Sequence, residues 1–194
     1  MRWRQDKDMV KRILDLVLSG IAIMLLSPIL LVTVALIKLD SKGPALFAQR
    51  RIGMYDQEFL MYKFRTMVVG TPEVATDKLN DSHTYITKVG YYLRKYSIDE
   101  LPQLLNIIKG DMSLVGPRPA LYNQYDLRTK RNERGVELVR PGLTGWAQIN
   151  GRDDISLDEK VLLDAYYCEN LSLFFDMKII FGTAFSLVKG TGEK

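Results

Sequence analysis

Twenty-two consecutive residues, Leu16 to Ile37, carry no charge. As an α-helix rising 1.5 Å per residue, such a run spans about 33 Å, enough to cross the hydrocarbon core of a bilayer. It is too long for the apolar part of a signal peptide, and no small-residue cleavage site follows it. Two details oppose a simple span. Ser27-Pro28 lies mid-run, where Pro28 supplies no N–H and crowds the carbonyl of Met24, so a kink is expected there. The flanks are basic on both sides, with Lys11 and Arg12 before and Lys38, Lys42, Arg50 and Arg51 after. Basic flanks favour the cytoplasmic face, so both ends are expected there. A helix that enters, bends at Ser27-Pro28 and returns meets both conditions, with the Ser27 hydroxyl filling a carbonyl freed by the kink. A kinked but complete span and a buried hairpin in a soluble core remain open at this point. Asp15 is costly in lipid and is expected near the interface or paired with a base such as Arg12. Residues 1–12 add five basic and two acidic side chains and an interfacial aromatic, Trp3.

Composition narrows the chemistry. A chain of 194 residues with 47% apolar and 26% charged side chains suits one folded domain with length to spare. A charge of +4 and a pI near 9.1 suit an anionic partner. The single cysteine, Cys168, excludes an internal disulfide and a cysteine-based zinc cluster. The single histidine, His83, lies in a polar stretch and excludes multi-histidine metal sites. GxGxxG, Walker A and CxxC patterns are absent, and no RNP-type aromatic motif supports nucleic-acid binding. The one DxD, Asp6-Lys7-Asp8, lies in the basic N-terminus. Acid chemistry here must run on carboxylates, with a hard cation if a metal takes part.

The densest candidate is SIDELPQLLNIIKGDMSLVGPRP, residues 97–119. Asp99 and Glu100 stand at the expected start of a helix, because Pro102 is tolerated only in a first turn, and Gly110 ends it. Leu101, Leu104, Leu105 and Ile108 read as one buried face. A further acid, Asp111, follows, then Gly116-Pro117-Arg118-Pro119, a stiff turn that restricts the backbone on both sides of Arg118. A pre-set guanidinium facing a carboxylate pair suits gripping and attacking a phosphate. The competing reading is structural: Ser97-x-x-Glu100 is a capping box, or Asp99 an N-cap.

Around it, 45–53 and 57–67 read as two strands about a turn at Gly53 to Asp56. Strand alternation puts Lys63 and Arg65 on one side, which suits a diphosphate or simply a solvated basic face. Residues 69–84 read as an exposed loop, and 86–97 as a short amphipathic helix bringing Arg94 and Lys95 near Asp99. Arg128, Lys130, Arg131 and Arg134 form a basic run on a helical segment, either solvated or resting on anionic lipid. Residues 140–152 are turn-rich, 156–170 form an amphipathic helix, and 171–188 form a more apolar helix that is either core or interface-lying.

Three patterns agree in order: GPxxFxQxRxG over 43–53 with KFRTM after it, the 97–119 stretch, and RPGLTGWAQINGR over 140–152. Together with the Ser-Pro pair they resemble the bacterial sugar transferases, the small monotopic phosphoglycosyl transferases. The resemblance implies a mainly helical α+β fold. Residues 1–40 would be a re-entrant membrane helix broken at Ser27-Pro28, and residues 41–194 a small cytosolic catalytic domain with interface-lying amphipathic helices. It implies transfer of a sugar 1-phosphate from a nucleotide sugar, with UDP the expected nucleotide, to a polyprenyl phosphate such as undecaprenyl phosphate. This is the first membrane step of bacterial glycoconjugate assembly, such as capsule or lipopolysaccharide, at the cytoplasmic face of the inner membrane. Asp99 would be the nucleophile forming a covalent phosphosugar and the ligand of Mg²⁺. Glu100 would place the metal or the acceptor, and Lys63, Arg65, Arg118 and Arg152 would hold the diphosphate and nucleotide. Membrane lipid is an expected partner, nucleic acid is not, and homo-oligomers stay open. A different class of function, a non-catalytic membrane-surface adaptor, would use the same basic helices to bind anionic lipid.

Overall fold

The uncharged run forms the middle of one long helix, α1 (Arg2–Asp40). The computed structural model describes residues 2–71, 82–151 and 155–188. The helix continues through Ser27-Pro28. Pro28 cannot donate to the Met24 carbonyl, and the Ser27 hydroxyl donates to that oxygen instead, at 2.8 Å. Along one side of α1, Lys11, Asp15, Ser19, Thr33 and Ile37 are buried. On the other, Met24, Leu25 and Leu31 are each more than 70% exposed. The helix is therefore fixed to the rest of the protein on both sides of Pro28. Its apolar back, long and apolar enough to cross a membrane, is left uncovered. Asp15 does not pair with Arg12. It accepts from the Leu114 N–H at 3.1 Å, while Arg12 donates to the Ile107 and Ile108 carbonyls.

After Gly43-Pro44 come β1 (Leu46–Ile52) and β2 (Glu58–Phe64), an antiparallel hairpin in register from Leu46↔Phe64 to Ile52↔Glu58. Its tight end is a 3₁₀ turn in which Tyr55 and Asp56 both take left-handed backbone angles. The polar stretch expected as a loop lies mostly outside the described residues. Its end forms the single turn α2 (Ser82–Tyr85), which includes the His83 backbone. The next helix, α3 (Lys88–Lys95), is capped by Thr87, whose hydroxyl accepts from the Gly90 N–H. Gly90 is required here, because a Cβ would sit 2.1 Å from the Thr66 carbonyl oxygen.

A 3₁₀ turn (Ile98–Glu100) leads into α4 (Gln103–Lys109), then β3 (Ser113–Val115). Gly110 ends α4 in the left-handed conformation, as its position suggested. Next come α5 (Tyr125–Asn132), β4 (Gly142–Thr144), α6 (Trp146–Asn150), α7 (Leu157–Glu169) and α8 (Leu173–Val188). Strand β4 pairs parallel with β3, Ser113 opposite Gly142 and Val115 opposite Thr144. The result is a mainly helical α+β protein with two small sheets among the described residues.

The expected buried face of the central helix is also corrected. Leu104 and Ile107 are inside with the polar Gln103 and Asn106, while Leu105 and Ile108 are exposed. The reason is hydrogen bonding. Asn106 Oδ1 accepts from the Tyr62 N–H, and its Nδ2 donates to the Leu60 carbonyl and to Asp111 Oδ2. One side-chain amide thus serves the open edge of β2 as a neighbouring strand would. Met61, Leu104, Ile107 and Met112 close over it, with Ala22 and Ile23 of α1 against them. A second core gathers Val115, Ala165, Tyr167, Phe175 and Ile179. Helix α8 buries Phe175 and Ile179 there but leaves Phe174, Phe181 and Phe185 exposed, so it combines a core face with an uncovered apolar face.

Candidate active site

Asp99 sits in the 3₁₀ turn between α3 and α4 and is 3% exposed. The capping reading of this turn does not hold. Ser97 is left-handed, at φ 53, and makes no side-chain cap, and the residue capping α4 is Pro102. Nor does the Glu100 side chain return to the Ser97 backbone. Its Oε1 accepts from Lys63 Nζ at 2.7 Å and from Arg118 Nη2 at 2.9 Å. Burial alone would raise the Glu100 pKa, but the guanidinium of Arg118 and the ammonium of Lys63 hold it well below the usual carboxylate range. Glu100 is therefore a fixed anion that draws two cations from distant chain segments to one point, on the residue after Asp99.

Each cation is itself held in place. Lys63 lies near the end of β2, whose edge is tied to α4 by Asn106. Arg118 lies in the Gly116–Pro119 turn, where four successive carbonyls are occupied. Pro117 O accepts from the Gly142 N–H, Arg118 O from Arg131 Nη1, Pro119 O from Arg51 Nη1 and Ala120 O from the Ile52 N–H. Gly116 is pressed against the β4 segment, where an added Cβ would lie 2.4 Å from the Arg140 carbonyl oxygen. Arg131 in turn places Nε and Nη2 on Asp164 Oδ2 at 3.0 and 2.6 Å, in a buried pair. Burial pushes the Asp164 pKa up, and Arg131 opposes that shift.

The structure thus brings Glu100, Lys63 and Arg118 together, with Asp99 the residue before Glu100 in the chain. Arg65 is elsewhere, because its guanidinium donates to the Ser41 and Lys42 carbonyls at the end of α1, beyond the last residue of β2. The expectation that Lys63 and Arg65 share a face is corrected accordingly. Arg152 falls outside the described residues, just after Gly151. Asp111 turns back to Asn106 and not to the site. Arg94 donates to the Thr66 hydroxyl, and Lys95 stands over the Tyr96 ring. Most of the basic run on α5 is also committed, with Arg128 paired to Asp56, Lys130 to Asp158 and Arg131 to Asp164.

Sequence reasoning missed Asn106, Arg51, Arg131 and Asp164. A signal existed for the last. Asp164 interrupts the apolar stripe Val161, Ala165, Cys168 of α7, and a carboxylate on such a stripe requires a buried cation. Among the described residues no three acidic, histidine or cysteine side chains gather to hold a metal. Asp99 is nevertheless the kind of single carboxylate that holds a small hard cation jointly with substrate phosphates.

The family model described as bacterial sugar transferase matches residues 6–190. The chain is 45% identical over 171 residues to the uncharacterized sugar transferase EpsL of Bacillus subtilis, covering 88% of this chain and 83% of that one. It is 40% identical to an Aeromonas hydrophila UDP-N-acetylgalactosamine-undecaprenyl-phosphate N-acetylgalactosaminephosphotransferase, over 95% of this chain and 45% of the other. It is 38% identical to the UDP-glucose:undecaprenyl-phosphate glucose-1-phosphate transferase of Escherichia coli, over 91% of this chain and 40% of the other. The chain therefore spans most of the first relative but less than half of the two whose names state a reaction.

Proposed function

From the premise that the chain belongs to the bacterial sugar transferase family, we propose that it moves a sugar 1-phosphate from a UDP-sugar to undecaprenyl phosphate. The observation that carries this reading is the buried Asp99 beside Glu100, which holds Lys63 and Arg118 within 2.9 Å of one oxygen. Attack on a diphosphate needs an anion that is itself shielded by positive charge, and this arrangement supplies both.

In the proposed sequence, an Asp99 carboxylate oxygen bonds to the sugar-bearing phosphorus. The bond from that phosphorus to the bridging oxygen breaks, and UMP leaves with the electron pair. A phosphate oxygen of the lipid then attacks the same phosphorus and restores the Asp99 carboxylate. Lys63 and Arg118 neutralise the phosphoryl oxygens, and Glu100 keeps both cations pointed at them. Arg152, by the family resemblance, binds the nucleotide diphosphate. Mg²⁺, when held by Asp99 and the diphosphate, supplies further charge neutralisation there.

Residues 1–40 act in this reading as a membrane anchor and residues 41–194 as the catalytic part at the cytoplasmic face of the inner membrane. Support for a re-entrant anchor is that both ends of α1 are bonded to the same body. Arg12 and Asp15 bond to the α4–β3 region, and Asp40 accepts from the Val89 N–H at 3.0 Å. Exposed Phe174, Phe181 and Phe185 on α8 supply a second apolar contact with the bilayer.

The test is release of UMP from a panel of UDP-sugars with polyprenyl phosphate and Mg²⁺. Asp99→Asn is expected to lower release by at least about 10⁴-fold while the protein stays in the membrane fraction. Near-normal transfer by that variant would sink the nucleophile and favour a membrane-surface adaptor.

A further inference from the structure

Gln103 opens α4 and is 1% exposed, yet its Nε2 meets no acceptor among the described residues. A covered amide donor has given up water and gained no bond in return, so such groups are rare and call for a cause. Asn106, three residues on in the same helix, shows the usual outcome, with both ends of its amide engaged on β2 and Asp111. The position of Gln103 is bracketed from both sides. Glu100, three residues before, reaches Lys63 of β2, and Asn106 reaches Tyr62 and Leu60 of the same strand. Residues three or four apart share a helical face. Leu101 and Pro102 keep helical backbone angles, φ −55 and −60, between the 3₁₀ turn and α4. Gln103 therefore lies on the β2 side of the helix, one turn after the buried Asp99. We propose that Gln103 is a positioning residue for the nucleophile, and that its Nε2 donates to the Asp99 carboxylate when substrate fills the site. The inference rests on the transfer reading and adds a residue to it.

The other acids along this stretch are already engaged. Glu100 Oε1 holds Lys63 and Arg118, and Asp111 Oδ2 accepts from Asn106. A carboxylate accepts about four hydrogen bonds, so other donors on Asp99 leave room for this one. An amide suits the task better than a cation. It carries no charge, so it orients the carboxylate without neutralising it as a lysine or arginine would. With one carboxylate oxygen tied to Nε2, the other is turned toward the phosphorus, which removes a rotation from the cost of attack. The same bond serves the second step. There the lipid phosphate oxygen bonds to phosphorus, the bond from phosphorus to Asp99 breaks, and its electron pair returns to the carboxylate. Negative charge grows on the group that Nε2 bonds, and a donor already fixed there stabilises it. Gln103 gives up no proton in either step.

The experiment compares the full-length protein in nanodiscs with Gln103→Met and Gln103→Leu, which keep bulk and remove the donor. Both variants are expected to unfold at the same denaturant concentration as the unmodified protein or at a higher one, because an apolar side chain leaves no unpaired donor. Both should lower kcat at least about tenfold and change KM for the UDP-sugar less than about twofold, the pattern of an interaction made only in the reacting complex. A side-chain amide signal from nitrogen-labelled glutamine, assigned to Gln103 by its loss in Gln103→Met, should shift when UDP-sugar is added. The same addition to Asp99→Ala should leave it in place. Earlier unfolding of both variants would overturn the proposal, because it would mean that the amide has a partner in the resting protein, such as a buried water, and a structural role. Unchanged kcat in both variants would overturn it too. So would an amide signal that fails to shift or that shifts equally in Asp99→Ala. Absence of UMP release from every UDP-sugar in the unmodified protein would overturn the transfer reading alone, while the unfolding comparison and the amide signal still judge Gln103.

Discussion

Glu100 shows how one carboxylate gathers two cations from distant chain segments. It is partly shielded, and its Oε1 bonds to both Lys63 and Arg118, so its charge is worth more than a surface ion pair. Glu100→Gln keeps an acceptor but removes the charge, and it is expected to lower stability by about 1.5–3 kcal/mol at pH 7. The sign with pH follows from its depressed folded pKa. Above about pH 4.3, the unfolded value, the contribution is complete. As pH falls below that, the unfolded chain takes up a proton that the folded chain refuses, and stability drops by about 1.4 kcal/mol per pH unit. Denaturant titrations of both proteins between pH 7 and 3 should therefore converge on the acid side, and a constant gap would contradict this account. The acid pair stood out in the sequence through the family resemblance, because Asp99-Glu100 before a proline-limited helix start reads equally as a cap. Which acid keeps the cations did not stand out, because Lys63 and Arg118 are separated from Glu100 by 37 and 18 residues and meet it only in three dimensions.

Among elements, the rigid part is the Gly116–Pro119 turn. Two prolines made it readable as stiff, but its position depends on Arg51, Arg131 and the β3–β4 pair, which no local pattern announces. Helices and the hairpin were readable because their periodicities are strong, and β1 and β2 fall inside the expected segments. The face of α4 was misread because Asn106 goes inward to satisfy backbone groups of β2, which hydrophobicity alone does not reveal. Most of the basic run on α5, open in the sequence between solvent and lipid, is likewise taken up by ion pairs within the chain. One of these pairs gives a prediction. Arg131→Met leaves Asp164 buried and unpaired and is expected to cost about 3–5 kcal/mol, measured by denaturant unfolding. Adding Asp164→Leu removes the stranded charge and should recover a large part of that loss. Turnover should not recover with it, because the Arg118 carbonyl still lacks its donor. Recovery of both together would mean that Arg131 stabilises the fold without positioning the turn.

At the scale of the whole molecule, α1 has to be placed relative to the bilayer. A perpendicular span would put residues before Leu16 and after Ile37 on opposite sides of about 30 Å of hydrocarbon. The contacts disagree with that. Lys11 Nζ meets Asp176 of α8 at 2.6 Å, and Asp176 Oδ1 lies 2.8 Å from the Tyr167 hydroxyl in the same core. At the other end, Ile37 packs with Ala45, Phe64 and Leu93, and Asp40 accepts from the Val89 N–H. One folded body therefore holds both ends, and it also contains the charged site at Asp99, which belongs in water or at head groups. Met9 and Leu39 are both exposed and stand near the two ends of the apolar run. Single-cysteine variants at these positions, in a Cys168→Ala background, are both expected to react with an added impermeant maleimide in inside-out vesicles and neither in right-side-out vesicles. Labelling of the two positions from opposite sides would establish a span and require the body to detach from one half of α1. The site would then lose either the Lys11 tie or the Asp40 tie. Labelling from one side leaves the bent or surface-lying anchor as the arrangement that keeps Asp99 level with lipid phosphates.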